Sequence, residues 1–336
     1  MEVVRKVLGI DVSKLKLDVA LLVNGKLKSK VVPNTPDGHK VLLEWIAKQK
    51  VSPAELHICM EATGVYHEAV AMTLHAAQFK VSVVNPACIK GFGHGVNIRN
   101  KNDEIDAALI AHYCLAMTPE PWTPPPMEQR ELRAWTLRVQ ALKDIRQQES
   151  NRLEAHEVSG MQDVAAHVTE HIDWLDGEIK KLEKEIDDHI DRHPDLKKDA
   201  NLICSIPGIG MTTAARVLGH LGDIRRFDSA KAFAAFLGVT PRQRTSGSSV
   251  RGRTVMSKTG NSALRAALFM PSMVAKQHNP ILKVFAKRLL DTGMAKRAVI
   301  GAVTHKLTHL IYGVIKSSKP FDANYLQNGL AIQDGI

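Results

Sequence analysis

A proline-rich stretch divides this chain of 336 residues into two parts of different character. Residues 119–126 read PEPWTPPP, and a helix cannot continue through so many prolines. Such a run forms a stiff, extended spacer. The length of the chain is enough for two or three domains. We therefore expect the first domain to occupy residues 1–125 and the spacer to lead into a different fold.

The first part has the pattern of an α/β domain. Three short β-rich runs, at 4–10, 17–23 and 26–32, come first, and Asn24-Gly25 between the last two is a strong hairpin signal. Helical stretches then alternate with further strands, and a helix over about 103–117 ends the region. Hairpins followed by alternating helices and strands predict a mixed sheet covered by helices.

The second part changes to long polar helices. Ser159-Gly160 separates two of them, and His193-Pro194 ends the second. The second helix carries one apolar stripe at near-heptad spacing, which predicts a central coiled-coil helical hairpin over 126–199 or a dimeric coiled coil. Two helices of an ordinary globular bundle are the alternative. A mainly helical domain is expected over 200–336. The stripe consists of Val168, Ile172, Leu175, Ile179, Leu182, Ile186 and Ile190.

Four carboxylates stand where they could meet. Asp11 and Glu61 each end a predicted strand, and Asp103 and Asp106 lie three apart at the start of a predicted helix, so both point to one helix face. Convergent carboxylates repel one another unless cations lie between them, and hard oxygen ligands select Mg²⁺, for which Mn²⁺ can substitute. Taken singly, each is also an ordinary turn or cap residue.

A long block of the second part contains no acidic residue. Residues 229–290 carry eleven Lys and Arg and no Asp or Glu, against a net charge of +10 for the whole chain. A block with every carboxylate removed is expected to lie against a polyanion. We expect phosphate contacts from Arg242, Arg244, Arg251, Arg253, Lys258 and Arg265.

Serines and glycines lie among these basic residues. In the segment TPRQRTSGSS, a serine surrounded by guanidinium groups could attack phosphorus, because positive charge lowers the cost of its alkoxide. The alternative is a loop that only binds phosphate. Spacing alone does not choose between Ser246, Ser248 and Ser249. Further upstream, the IPGIG turn at 206–210 resembles a helix-hairpin-helix, in which Gly208 and Gly210 would present backbone N–H groups to a phosphate.

The order of the motifs is more specific than any one of them. It runs GIDVSK, MEATGVY, VNP, KNDEIDA, a polar helical hairpin, IPGIG, FLGVTPRQRTSG and SKTGNSALR. This series resembles the insertion-sequence transposases of family one-ten, the bridge-RNA-guided recombinases, over nearly the whole chain. The resemblance implies an N-terminal RNase H-like domain of the RuvC type with a DEDD metal set, here Asp11, Glu61, Asp103 and Asp106. It also implies a C-terminal transposase domain whose covalent nucleophile is Ser246.

The same resemblance implies partners and a mechanism. Such recombinases use Mg²⁺, assemble as dimers to tetramers through the helical region, and are directed to donor and target DNA by a structured RNA. One departure is Asn102, where the family often has threonine before the first aspartate of the pair. Two other functions compete with this interpretation: a RuvC-like hydrolase in which the serine loop only binds, and a non-enzymatic nucleic-acid scaffold.

Apolar runs and cysteines indicate in which part of the cell the protein is expected. No apolar run approaches the roughly 18 residues of a membrane span, and the first residues lack the apolar core of a signal peptide. The four cysteines, Cys59, Cys88, Cys114 and Cys204, are far apart and lie in apolar contexts, which predicts buried, reduced thiols. We therefore expect a cytoplasmic protein with no membrane partner.

Overall fold

The computed structural model describes residues 6–96, 103–243, 245–246, 250–252 and 254–324, with the backbone alone at 103–104, 245–246 and 250–251. Its contacts divide the chain into two units, Met1–Pro124 and Pro125–Ile336. The division falls inside the proline-rich stretch. The predicted further boundary at 199/200 stays a prediction.

A five-stranded mixed sheet forms the centre of the first unit. The strand order is β3-β2-β1-β4-β5, with β2 antiparallel to both neighbours and β4 and β5 parallel to β1. This confirms the predicted mixed α/β architecture, and the RNase H-like assignment stays a prediction. The strands are β1 (Lys6–Val12), β2 (Lys16–Val23), β3 (Lys26–Pro33), β4 (Leu56–Glu61) and β5 (Lys80–Val84).

Helices cover both faces of this sheet. Leu8, Ile10 and Val12 of β1 point to one face and pack in a core with α1 and α2 residues, whereas Val7 points to the other face and packs in a core with α4 residues. This alternation is the two-residue period of a strand. The helices of the first unit are α1 (Pro36–Lys48), α2 (Glu68–Ala76), α3 (Pro86–Gly95) and α4 (Asp103–Met117).

Two local signals in the sequence have the structural effect expected of them. Asn24 and Gly25 both have positive φ, at 51° and 75°, so the pair makes the tight hairpin turn between β2 and β3. Asn85 caps α3 by accepting a hydrogen bond from the backbone N–H of Ala87, and Pro86 occupies the first helical position. Local turn and cap chemistry therefore fixes where these elements begin.

The first residues of the proline-rich spacer are hydrogen-bonded to strand β5 of the sheet. The N–H of Trp122 donates to the carbonyl of Val81 at 2.7 Å, and the Ser82 hydroxyl donates to the carbonyl of Glu120 at 2.7 Å. Buried His57 contacts the same hydroxyl through Nε2 at 2.8 Å. The first half of the proline-rich stretch thus belongs to the first unit.

A long helical hairpin begins the second unit. It consists of α5 (Met127–Val158) and α6 (Gln162–Arg192), joined by a turn in which Gly160 has a φ of 75°. Lys143 contacts Glu183 at 2.6 Å and Arg146 contacts Asp176 at 2.9 Å, so the two helices run antiparallel. The predicted apolar stripe lies on the buried side of α6, with Leu182 partly buried and the other six positions buried.

The rest of the second unit is a helical domain with one extended ribbon. Its helices share a core that includes α13, whose Val299, Val303 and Ile311 are fully buried. By length and hydropathy α13 alone among the described helices could cross a membrane, but this buried stripe is typical of a core helix. The helices are α7 (Pro194–Cys204), α8 (Met211–Leu221), α9 (Ala230–Leu237), α10 (Ser262–Ala267), α11 (Phe269–His278), α12 (Pro280–Asp291) and α13 (Lys296–Ser317).

Candidate metal centre and serine ribbon

The first candidate site depends on how α4 lies on β1. A Cβ atom built on Gly9 would stand 2.2 Å from the carbonyl oxygen of Ala107 and 2.4 Å from the backbone nitrogen of Ala111. No side chain fits between the two backbones, so glycine is required for this close approach. The backbone of α4 therefore lies directly on β1.

The direction of α4 follows from a second contact. The Cys114 thiol donates to the carbonyl of His57 at 3.7 Å, and His57 is the β4 partner of Val7. Moving back along α4 from Cys114 to Ala107 therefore means moving forward along β1 from Val7 to Gly9. The helix runs antiparallel to β1 and β4, and its first turn points to the edge of the sheet where both strands end.

Helix and strand dimensions place the helix start at the level of Asp11. From Gly9 to Asp11 the strand advances about 6.6 Å, which equals the rise of about four helical residues. Because Gly9 lies level with Ala107 and Ala111, Asp11 lies roughly level with residues 103–106. Asp11 also shares a sheet face with Gly9, since residues two apart on a strand point the same way.

Glu61 reaches the same place from the neighbouring strand. Gly9 pairs with Cys59 and Ile10 with Met60, so Asp11 and Glu61 occupy the next step of this parallel ladder. Both side chains are half-buried, as is that of Asp106. The backbone thus brings Asp11, Glu61 and the first turn of α4 to one face at one edge, where their oxygens suit a divalent cation.

The complete four-carboxylate metal set stays a prediction. The side chain of Asp103 lies outside the described residues. Among the side chains that the structure describes, no three or more His, Cys, Asp or Glu residues are close enough to hold a metal ion. What the structure provides is the alignment of the elements that carry these residues.

A fifth carboxylate, missed in the sequence, lies beside this set. Asp18 of β2 is the antiparallel partner of Asp11, so the two side chains leave the same face of the sheet. Asp18 is only 6% exposed, and the Lys16 ammonium lies 3.0 Å from its carboxylate. The one signal in the sequence was an aspartate within an apolar strand, LDVALLV. Lys16 offsets part of the negative charge at this edge.

Two thiols lie beneath the carboxylates. Cys59 of β4 and Cys114 of α4 are both fully buried. A hydrogen bond between the two thiols, together with burial, raises the pKa of Cys59. They belong to the interface that holds α4 to the sheet. The prediction of buried thiols is therefore right for these two and wrong for Cys88, which is exposed; Cys204 is half-buried.

The second candidate site is a narrow β-ribbon, where the sequence had suggested a loop. β6 (Pro241–Arg242) pairs with β9 (Val255–Met256), and β7 (Thr245–Ser246) pairs with β8 (Val250–Arg251). Such two-residue strands have no hydrophobic period, so the sequence could not show them. Ser246 is in the last paired step and faces Val250 in register. Ser248 and Ser249 lie outside the described residues.

Two glycines fasten the base of this ribbon to α9. Gly238 and Gly260 have positive φ, and a Cβ on Gly260 would stand 2.3 Å from the carbonyl oxygen of Phe236. Arg265, predicted to contact phosphate, donates to the carbonyl of Leu237 at 3.1 Å. One of its nitrogens therefore caps the end of α9.

The other predicted phosphate contacts are partly described. Arg242 and Lys258 are exposed, as phosphate contacts require. Arg253 and Arg244 lie outside the described residues, as does the side chain of Arg251.

The IPGIG turn connects α7 to α8, as a helix-hairpin-helix would. Gly208 has a φ of 106°, and a Cβ there would stand 2.7 Å from the backbone of Ala275, so this glycine lets α11 pack closely. Gly210 is exposed and precedes the first turn of α8. A packing role for Gly208 is therefore visible, and a phosphate contact at Gly210 stays a prediction.

Comparison with known proteins agrees with the order of these parts. A DEDD transposase model of the IS110 type matches residues 8–156, and a model described as transposase of the IS116/IS110/IS902 family matches residues 200–287. The chain is 32% identical to the pilin gene-inverting proteins of Moraxella bovis and Moraxella lacunata over 318 residues, covering 94% of this chain and 97% of each relative.

Two further matches cover about a third of the chain each. The transposase for insertion sequence element IS1111A of Coxiella burnetii is 30% identical over 128 residues, covering 37% of this chain and 35% of that protein. T. thermophilus RuvC, solved in complex with a Holliday junction substrate, aligns with a TM-score of 0.27 and 16% identity, covering 35% of this chain and 99% of its own. On its two model matches and its full-length relatives, the chain belongs to the IS110 family of transposases.

Proposed function

We propose that this transposase is an RNA-guided recombinase that cuts and rejoins donor and target DNA through a covalent phosphoserine intermediate. The observation that carries the proposal is the docking of α4 on Gly9, which aligns Asp11, Glu61 and the first turn of α4 at one edge of the sheet. The nucleophile would be Ser246 of the ribbon, on the other structural unit.

The carboxylates would bind the metal, and the ribbon would carry the reacting group. Mg²⁺ held by Asp11, Glu61, Asp103 and Asp106 would supply charge stabilisation at the scissile phosphate. Ser246 Oγ forms a bond to phosphorus while the bond from phosphorus to the 3′ oxygen breaks, and the serine proton ends on that oxygen. A 3′ hydroxyl of another strand then attacks the phosphoserine and releases the serine, so the number of phosphodiester bonds is conserved.

The basic ribbon suits this chemistry. Arg242 and Lys258 are exposed near its base, and neighbouring positive charge stabilises both an alkoxide and the charge that develops on phosphate oxygens. Guidance by RNA is part of the proposal, and base pairing would then select the DNA while the protein contacts backbone and shape. Assembly as a dimer to tetramer would let metal site and serine come from different subunits.

The decisive experiment separates covalent capture from hydrolysis. The protein is purified from its host with its bound RNA, mixed with labelled donor and target DNA in Mg²⁺, and analysed on a denaturing gel. We expect a protein–DNA adduct whose mass spectrum places the phosphate on Ser246. Ser248→Ala and Ser249→Ala are matched controls that should keep the adduct.

Two outcomes would contradict the proposal. If Ser246→Ala still cuts DNA in Mg²⁺, the enzyme is a hydrolase and the ribbon only binds. If Asp11→Asn and Asp106→Asn leave cleavage unchanged, the carboxylates do not hold the catalytic metal. A scaffold function without chemistry would require instead that the wild-type complex cuts no DNA.

A further inference from the structure

Large apolar side chains are exposed on two loops at the carboxylate edge of the sheet. Leu15, between β1 and β2, is 78% exposed, and Val65 and Tyr66, between β4 and α2, are 67% and 41% exposed. These loops begin immediately after β1, in which Asp11 is the second-last residue, and β4, which ends with Glu61. Apolar groups of this size are costly to leave in water, so a group of them at one edge indicates a contact surface.

Asn34 holds the two loops together. Its Nδ2 donates to the carbonyl of Ser13 at 2.9 Å and to that of Tyr66 at 3.1 Å, and its backbone N–H donates to the carbonyl of Leu15 at 2.9 Å. The backbones of both loops therefore lie against one residue. We call the exposed apolar side chains of these two loops the apolar ledge (Leu15, Val65 and Tyr66).

Buried His39 fixes the orientation of this clamp. His39 is 3% exposed, and its Nε2 lies 2.9 Å from Oδ1 of Asn34. Burial lowers the pKa of His39, which favours the neutral ring. Because the Oδ1 of Asn34 can only accept, the ring donates to it from Nε2. With Oδ1 accepting from His39, both hydrogens of Nδ2 are directed to the two loop carbonyls. The backbones of the two loops are thus tied together before any partner binds.

The chemistry of the ledge fits a nucleotide. Leu15 and Tyr66 offer apolar and aromatic surface, and exposed Lys14 adds a positive charge beside Leu15. The face of a base and its phosphate need this combination. In an intact duplex both faces of a base are covered by its neighbours, whereas an unpaired base has a free face.

We propose that the apolar ledge binds the face of an unpaired DNA base next to the phosphate held at the carboxylate edge. This inference rests on the proposed function, because the carboxylate edge must bind DNA for the ledge to contact it. The ledge would position the strand to be cut and would favour DNA that is locally open over fully paired DNA.

The test uses the full-length protein and a forked DNA with 2-aminopurine in its unpaired arm, in Ca²⁺ instead of Mg²⁺. We expect Leu15→Ser and Tyr66→Ala each to weaken fork binding about tenfold without changing its salt dependence, because stacking is not ionic. Fluorescence quenching of the probe should fall in both variants and persist in Tyr66→Phe. Fully paired DNA should bind both variants as it binds the wild type.

Leu27→Ser is the matched control, since Leu27 is 41% exposed on β3 next to the Asn24-Gly25 turn, at the opposite end of the strand from Asn34. If Leu15→Ser, the more exposed site and so the safer variant for folding, binds the fork as Leu27→Ser does, the ledge does not contact DNA. A lower mass in light scattering with unchanged quenching would mean that the ledge contacts a second copy of the chain, and would equally overturn the proposal. Neither result depends on Ser246, so the adduct experiment judges the recombinase mechanism separately.

Discussion

Replacing Gly9 with alanine should separate α4 from the sheet. The new methyl group would lie 2.2 Å from the carbonyl oxygen of Ala107, and ordinary contact begins at 3.4 Å, so helix or strand must move by about 1.2 Å. Both obstacles are backbone atoms, so no side chain can rotate away. Overpacking of this kind costs about 3 kcal/mol. In a unit the size of Met1–Pro124, that lowers the unfolding temperature by roughly 10 °C.

The assay is differential scanning calorimetry with Gly91→Ala as the matched control. Gly91 lies in α3 of the same unit with nothing within 4 Å of a built Cβ, so alanine there should be neutral or stabilise by up to about 1 kcal/mol. The folded Gly9→Ala protein should also bind Mn²⁺ more weakly, because α4 carries Asp103 and Asp106. If Gly9→Ala unfolds at the temperature of Gly91→Ala, the argued direction and closeness of α4 are wrong.

Three further predictions concern the second unit. Burial, aided by the charges of His305, Lys306 and Lys231, lowers the pKa of His309 to about 4, so the folded state resists a proton that the unfolded chain accepts near 6.5. The contribution of His309 to the free energy of unfolding is therefore complete above pH 6.5 and is lost as the pH falls towards 4. For this half-buried group the loss should be about 1–2 kcal/mol, and urea unfolding of His309→Gln should show a flatter pH profile than that of the wild type. Leu175→Ala removes a fully buried side chain from the α5–α6 seam and should cost about 3 kcal/mol in the same assay, whereas exposed Leu137→Ala should cost under 1 kcal/mol. Lys258→Gln should lower the log–log salt slope of DNA binding by about one unit, and a slope equal to that of the wild type would remove Lys258 from the interface.

The sequence predicted best what local chemistry decides. Asn24-Gly25 can make only a tight hairpin turn, and the heptad stripe of α6 could face only a partner helix, so these elements were readable without a structure. The positions of Asp11 and Glu61 at strand ends followed from the same strand patterns. Their alignment with α4 did not, because it depends on Gly9 and on contacts between residues about 100 positions apart.

The features that the sequence did not predict depend either on contacts between distant residues or on elements only two residues long. Asp18 has meaning only through its register with Asp11, and no periodicity reveals which residues face each other across a hairpin. Asn34 acts through two carbonyls that are distant in the sequence, one of them from Tyr66. The serine ribbon was not predicted for the opposite reason. Its strands are two residues long, which is too short to show the alternating pattern by which a strand is recognised in a sequence.

The close fit of α4 on Gly9 also determines when during synthesis the carboxylate edge can be assembled. The strand that carries Asp11 is among the first parts to leave the ribosome, but the helix that completes the carboxylate edge follows about 100 residues later. Such distant contacts form slowly, because a long loop must close before any of them is made. A nascent or prematurely terminated chain that lacks α4 would therefore lack Asp103 and Asp106, two of the four carboxylates that the proposed mechanism needs to cut DNA.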